Sequence, residues 1–317
     1  MSAIAQRKIT VVGAGYVGST CAHLCAMKNL ASTIVLIDVL EGRPHGIALD
    51  MNQSAAVEGF GATIVGTNDP KDTYGSDMVI VTAGIPRKPG MSRSELLATN
   101  AKIILSVSEY VRNGSPDAHV IVVTNPLDSM VHLARVKTGF PGNRVTGMAG
   151  VLDSARFSWF IAEATKSSAI DVKAMVLGAH GDSMVPLPNY CVVNGVGIKD
   201  LVDKPKIAEM EKRTRNGGAE IVNLLKTGSA WYAPASSSVA MAKSILNDEK
   251  RLLPCACFLN GQYGFEGLYM GVPAILGKGG VEKIVEVPLD LESRAQMQKT
   301  AGAIQQDVQL MHDMRLL

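Results

Sequence analysis

Short apolar runs punctuate the first part of the chain at 9–12, 34–37, 63–65, 78–81 and 120–123. They are rich in valine and isoleucine and show no polar face, which is how a strand reads when a parallel sheet is covered on both sides. Longer stretches with helical spacing lie between them, at 16–28, 95–113 and 128–137. The alternation predicts an α/β fold, a Rossmann-type doubly wound parallel sheet. Polar and glycine positions gather where the runs end: Gly13, then Asp38, then Thr82-Ala83-Gly84, then Thr124-Asn125-Pro126. Ligands of open α/β sheets bind outside the carboxyl ends of the strands, so the pattern aims all of these groups at one crevice.

After about residue 150 the texture changes. A helix is expected over 152–164, a strand over 174–177, then a glycine turn through His180 and further extended segments. Ile207, Met210, Thr214, Gly217, Ile221 and Leu224 recur at spacings of three and four and form one helical stripe. Gly217-Gly218 inside it would cost about 1 kcal/mol each relative to alanine, which implies close packing there. Met297, Ala301, Ile304, Val308 and Met311 form a second stripe, suited to a core or a subunit interface. These features divide the chain into a dinucleotide-binding domain, 1–149, and an α+β substrate and catalytic domain, 150–317.

Composition narrows the possibilities by exclusion. A chain of 317 residues, 47% hydrophobic and 19% charged, can bury one large core or two modest ones. Its net charge of +2 exerts no bulk pull toward nucleic acid or an anionic membrane. No apolar run is long enough to span a bilayer, and residues 1–8 lack the apolar core of a secretory signal. Of the 5 cysteines, Cys21 and Cys25 would share a helix face, and Cys255 and Cys257 a strand face. Neither pair has metal-site spacing with nearby histidines, so no metal is expected and the thiols read as reduced and buried in a cytoplasmic protein.

Gly13-Ala14-Gly15-Tyr16-Val17-Gly18 fits G-x-G-x-x-G between a strand-like run and a helix, the context in which that motif cradles a pyrophosphate. Asp38, about 20 residues further on at the end of the second run, is placed to hydrogen-bond the adenosine ribose. A carboxylate there repels a 2′-phosphate, which favours NAD over NADP. Asp153 and Arg156, three apart on a predicted helix, share a face. Taken alone they form an ordinary ion pair worth a few tenths of a kcal/mol. His180 stands in Gly178-Ala179-His180-Gly181-Asp182, an uncrowded strand-end turn suited to acid/base work. Arg87 and Arg93 flank a Pro/Gly-punctuated loop, and a planar guanidinium matches a carboxylate in a bidentate way. Two of them suggest capture of a small dianion.

With these pieces in place, the chain resembles the malate dehydrogenases of the lactate-dehydrogenase-like type. The similarity runs from about Lys8 to the C-terminal helix. It is carried by GAGYVG at Gly13, LID at Asp38, AGIPRKPGMSR ending at Arg93, VTNP at Asn125, GMAGVLDSARF around Asp153 and Arg156, GAHGD at His180 and GSAWYAPA at Ala230. The resemblance implies that His180 is the proton donor and acceptor and that Asp153 orients its ring. It implies that Arg156 pairs with the carboxylate beside the reacting carbon, that Arg93 polarises the keto oxygen, and that Asn125 holds that oxygen. Arg87 would take the far carboxylate. NAD would lie against Gly13, Ala14, Gly15, Tyr16, Val17, Gly18, Asp38, Asn100, Val123, Thr124 and Asn125.

In lactate-type relatives the position of Arg87 is usually glutamine and that of Ala230 usually threonine, so both differences favour a longer dicarboxylate. The implied reaction is malate plus NAD to oxaloacetate plus NADH and its reverse, a step of the tricarboxylic acid cycle. A homo-oligomer is also implied, a tetramer before a dimer, with no nucleic-acid or membrane partner. The runner-up is a lactate or broad 2-keto-acid dehydrogenase. An NAD-dependent glycosidase would need metal ligands, and a non-catalytic NAD sensor would have lost part of the His180, Asp153 and arginine set.

Overall fold

The computed structural model describes residues 5–86 and 90–317. The first half comprises β1 (Lys8–Val12), α1 (Tyr16–Met27), β2 (Thr33–Ile37), α2 (Arg43–Glu58), β3 (Thr63–Thr67), β4 (Met78–Val81), α3 (Arg93–Gly114), β5 (His119–Val122), α4 (Leu127–Thr138) and β6 (Val145–Gly147). The second half opens with α5 (Ala149–Thr165). The short strands β7 (Val172–Lys173), β8 (Val176–Leu177), β9 (Val185–Pro186), β10 (Val192–Val193) and β11 (Val196–Gly197) follow. The chain then forms α6 (Ile198–Leu201), α7 (Lys204–Leu225), α8 (Tyr232–Leu246), β12 (Arg251–Asn260), β13 (Glu266–Gly277), β14 (Gly280–Ile284) and α9 (Leu291–Asp313).

All five apolar runs became strands, and β1, β2 and β4 are buried along almost their whole length, as expected for strands covered on both faces. Strands β3-β2-β1-β4-β5-β6 pair in parallel in the doubly wound order, which reverses direction between β1 and β4. That switch point is where a crevice opens. The sheet does not stop at the expected domain boundary. The β12–β13–β14 meander joins the edge of β6, with Gly147 opposite Ala256, so one continuous sheet runs through both halves.

Helix α2 lies outside the stretches with helical spacing at 16–28, 95–113 and 128–137. It buries only Pro44 and Ala48, so it carries no apolar stripe. The α7 stripe is buried at Ile207, Met210, Thr214 and Gly217, but Leu224, assigned to the same stripe, is 76% exposed where the helix runs off its neighbours. In α9, Met297, Ala301, Ile304 and Met311 are buried as expected. A large apolar core lines the sheet. A smaller one, including Phe157, Ile161, Ile207 and Met210, joins α5 to α7. Cys21 with Cys25 and Cys255 with Cys257 fall on α1 and β12, and all five cysteines are buried and unpaired as disulfides. Among the described residues, no helix is long and apolar enough to cross a membrane.

Candidate active site

The β1–α1 turn is built by its glycines. Gly13 adopts φ +102°, and a Cβ on it would come within 2.8 Å of the Ala83 nitrogen. A Cβ on Gly18 would overlap the Gly13 carbonyl oxygen, so only glycine lets α1 sit this close to β1. Gly15, by contrast, faces open space, and it caps α1 without a side chain. The first backbone N–H groups of α1 therefore point at the cleft with no protein side chain to satisfy them, which is the arrangement that attracts a phosphate.

Asp38 holds this turn from the end of β2. Its Oδ2 accepts the Ala14 N–H at 2.6 Å and its Oδ1 accepts the Leu40 N–H at 2.9 Å. Arg43, which sequence reasoning did not single out, donates from Nε to the Ala14 carbonyl at 2.8 Å. The Ala14 peptide is thus gripped on both sides.

A cleft of about 700 Å³ opens beside the turn, lined on one side by Gly15, Tyr16, Val17 and Gly18 and on the other by Arg156 and His180. Val123, Thr124, Asn125 and Ala230 also face it. Asn100 does not. It is fully buried behind the wall, where its amide bonds both the N–H and the carbonyl of Ile85 and donates to the Asn125 carbonyl at 2.6 Å.

Asp153 and Arg156 share one face of α5, as their spacing predicts. The pair is far from a surface ion pair. Asp153 is 2% exposed at its side chain, and Arg156 13%. The Asp153 Oδ2 lies 2.9 Å from His180 Nδ1, and its Oδ1 accepts from Arg156 Nη1 at 3.4 Å. Gly217 and Gly218 of α7 make room for the arginine: a Cβ on Gly217 would lie 3.1 Å from Arg156 Cδ. That is the close packing the glycine pair implied.

His180 is held from three directions. Gly178, at φ +84°, exchanges two backbone hydrogen bonds of 2.9 Å with Gly271 of β13. Asp153 takes Nδ1, and the Asp128 Oδ2 accepts the His180 backbone N–H at 3.1 Å. Nε2 has no hydrogen bond among the described residues, so it is the ring nitrogen left open. Burial disfavours the imidazolium, but the charge of Asp153 and its hydrogen bond outweigh burial and raise the His180 pKa above its ordinary value. Burial also lowers the Arg156 pKa, against the opposing pull of Asp153.

Arg93 opens α3, where Ser92 and Glu95 form a capping box. Its guanidinium is 62% exposed and bonds Asp307 of α9 at 2.7 Å, outside the cleft. Asp307, also bonded by Ser129 Oγ at 3.1 Å, lies between Ile304 and Met311 on the buried face of α9. A carboxylate inside an apolar stripe was the signal that could have revealed it. Asp128 offered no such signal, because an acid in the first turn of a helix is ordinary. Arg87, the second arginine of the loop, lies outside the described residues. Among the described residues, no group of three or more histidine, cysteine or acidic side chains could hold a metal ion.

Residues 7–147 match the lactate/malate dehydrogenase NAD-binding domain, and residues 150–314 match the lactate/malate dehydrogenase α/β C-terminal domain. A malate dehydrogenase of Geotalea uraniireducens is 52% identical, covering 97% of this chain and 100% of the relative. The solved malate dehydrogenase of Salinibacter ruber is 46% identical and superposes with a TM-score of 0.93, covering 97% of this chain and 98% of the other. A lactate dehydrogenase of Cryptosporidium parvum, solved with lactic acid and nicotinamide adenine dinucleotide, is 42% identical with a TM-score of 0.93, covering 98% and 99%.

Proposed function

The chain belongs to the lactate/malate dehydrogenase family, and from that premise we propose that it is an NAD-dependent malate dehydrogenase interconverting malate and oxaloacetate. The observation that carries the chemistry is the meeting of His180, Asp153 and Arg156 in the same cleft as an uncapped glycine turn. The naming of close relatives supports the substrate, since the curated relative at 52% identity is a malate dehydrogenase.

The turn fits a dinucleotide: Gly15 leaves open space before the α1 N-terminus, and Asp38 stands at the strand end where a 2′-phosphate would be repelled. When bound, the nicotinamide supplies or accepts the hydride at the substrate's C2. Tyr16, Val17 and Gly18 would hold the pyrophosphate through backbone N–H groups, with Val123, Thr124 and Asn125 along the floor. Asn100 contributes by fixing the backbone of Ile85 and Asn125.

In the reductive direction, protonated His180 gives the Nε2 proton to the keto oxygen. Asp153 stabilises the imidazolium before transfer and leaves Nδ1 as the protonated nitrogen afterwards. Arg156, already buried and paired, presents its remaining donors to the carboxylate beside the reacting carbon. Arg93 releases Asp307 as its loop closes and stabilises the developing oxyanion, a role that can be worth about 3 kcal/mol. Closure also expels water and strengthens each interaction.

Arg87 is assigned the far carboxylate. A buried carboxylate without a partner costs about 3–5 kcal/mol, a factor of more than about 100 against a dicarboxylate if that arginine were neutral. Domain division near residue 150, a homotetramer and a cytoplasmic site of action in the tricarboxylic acid cycle complete the proposal. The five unpaired thiols support the cytoplasmic setting. The test is loss of NADH absorbance on adding oxaloacetate, then pyruvate, then oxaloacetate with NADPH. Fast turnover is expected only in the first case. Turnover of pyruvate at an equal kcat/KM would replace malate by a broad 2-keto acid.

A further inference from the structure

One carboxyl group beneath the His180 turn has no part in the mechanism above. Asp128 lies in the first turn of α4, three residues beyond Asn125, and is 5% exposed. Its Oδ2 accepts the His180 N–H, while its Oδ1 is sealed from solvent with no partner among the described residues. Leaving a buried carboxylate oxygen unsatisfied is costly, and such a group persists where something is gained by it.

What it holds is a glycine-flanked turn. His180 stands between Gly178 at φ +84° and Gly181 at φ +122°. Glycines on both sides give the backbone freedom that a side chain would remove. The Gly178–Gly271 bridge fixes one end of the turn. Among the described residues, Asp128 is the side chain that grips the His180 main chain itself.

Charge adds to geometry. Around the ring stand Asp153, Arg156 and Asp128. With His180 protonated and both carboxyls ionised, two positive charges face two negative ones. Burial pushes the Asp128 carboxyl up to about 7, and the His180 N–H and imidazolium pull it back. Its charge is therefore present on the alkaline side of neutrality, where His180 has to keep its proton.

We propose that Asp128 is a positioning residue for the acid/base histidine. Its grip on the His180 N–H fixes the turn so that the ring meets Asp153 and presents Nε2 to the cleft, and its charge supports that of Asp153 in favouring the imidazolium. This rests on the assignment of His180 as the acid/base group.

Two substitutions in the full chain test it. Asp128→Leu removes the acceptor, and Asp128→Asn keeps an acceptor oxygen but removes the charge. With saturating NADH and oxaloacetate, kcat of the leucine variant falls by about tenfold or more, the worth of a misaligned hydrogen-bonded anchor, while NADH affinity by fluorescence titration stays at the wild-type value. The asparagine variant recovers most of kcat near pH 6. Oxaloacetate reduction requires protonated His180, so activity falls as pH rises through its pKa. Losing a neighbouring negative charge lowers that pKa, and the alkaline limb of the asparagine variant moves to lower pH. An unmoved limb in that variant overturns the proposal, as does an unchanged kcat in the leucine variant. If the leucine variant fails to fold, the limb of the asparagine variant decides alone. Normal turnover of His180→Asn would instead remove the acid/base assignment itself.

Discussion

Asp153→Asn is the most direct perturbation of the site. The carboxylate sits 2.9 Å from His180 Nδ1 and 3.4 Å from Arg156 Nη1, with its side chain 2% exposed. Two unit charges about 3 Å apart interact by roughly 5 kcal/mol at an effective dielectric of about 20. The amide keeps the shape and loses that term. It also has one acceptor for two donors, so either Arg156 or the Nδ1 proton is left facing an N–H group. A histidine in that setting holds its proton poorly and is driven toward the wrong tautomer. In a serine-protease triad the same exchange lowers kcat by about 10⁴. A loss of about 10³–10⁴ is therefore expected here, equivalent to about 4–5.5 kcal/mol.

The assay is steady-state oxidation of NADH by oxaloacetate, run well below the melting temperature. Breaking a buried pair also destabilises the fold, and the variant should melt several degrees lower. NADH affinity should change little, because the glycine turn lies across the cleft from α5. A folded Asp153→Asn protein with kcat within about tenfold of wild type would refute the coupling of Asp153 to His180.

Further consequences can be measured independently. Arg87→Gln should shift relative kcat/KM from oxaloacetate toward pyruvate by about 100-fold or more, and an unchanged ratio removes Arg87 from substrate choice. Gly18→Ala places a Cβ into the Gly13 carbonyl oxygen, so NADH binding by fluorescence titration should be lost and the melting temperature should fall. Asp128 should reverse the usual carboxylate dependence of stability on pH. Its pKa is raised on folding to about 7, so its contribution is present at pH below about 4 and is lost as pH rises to about 7. Asp128→Asn should therefore gain melting temperature relative to wild type at pH 8, on the order of a few kcal/mol in stability, with the gain shrinking toward pH 5. Equal melting temperatures at both pH values would mean that the carboxyl titrates normally.

Much of this protein is legible as a pattern because its determinants are local. Apolar runs with no polar face predict the parallel strands, glycine spacing predicts the turn before α1, and the offset of three between Asp153 and Arg156 places both on one helix face. The same local view reads that pair as a weak surface contact, since nothing in an i,i+3 spacing says whether water is present. Burial of both side chains against His180 and the α7 glycines turns it into the centre of the site. Partners far apart along the chain follow the same rule. Asp128 meets His180 across 52 residues, and Arg93 meets Asp307 across 214.

Extension of the sheet by β12–β14 is likewise decided by edge pairing between halves of the chain, not by any signal within those strands. Which residue types stand at strand ends, turns and helix faces follows from local sequence, because backbone preference and burial period act over a few residues. Which charges are desolvated, which nitrogen of His180 remains open and which carboxylates grip its turn were decided only by tertiary structure. The strength and direction of an electrostatic interaction depend on the groups and the dielectric around it, and those come from distant segments.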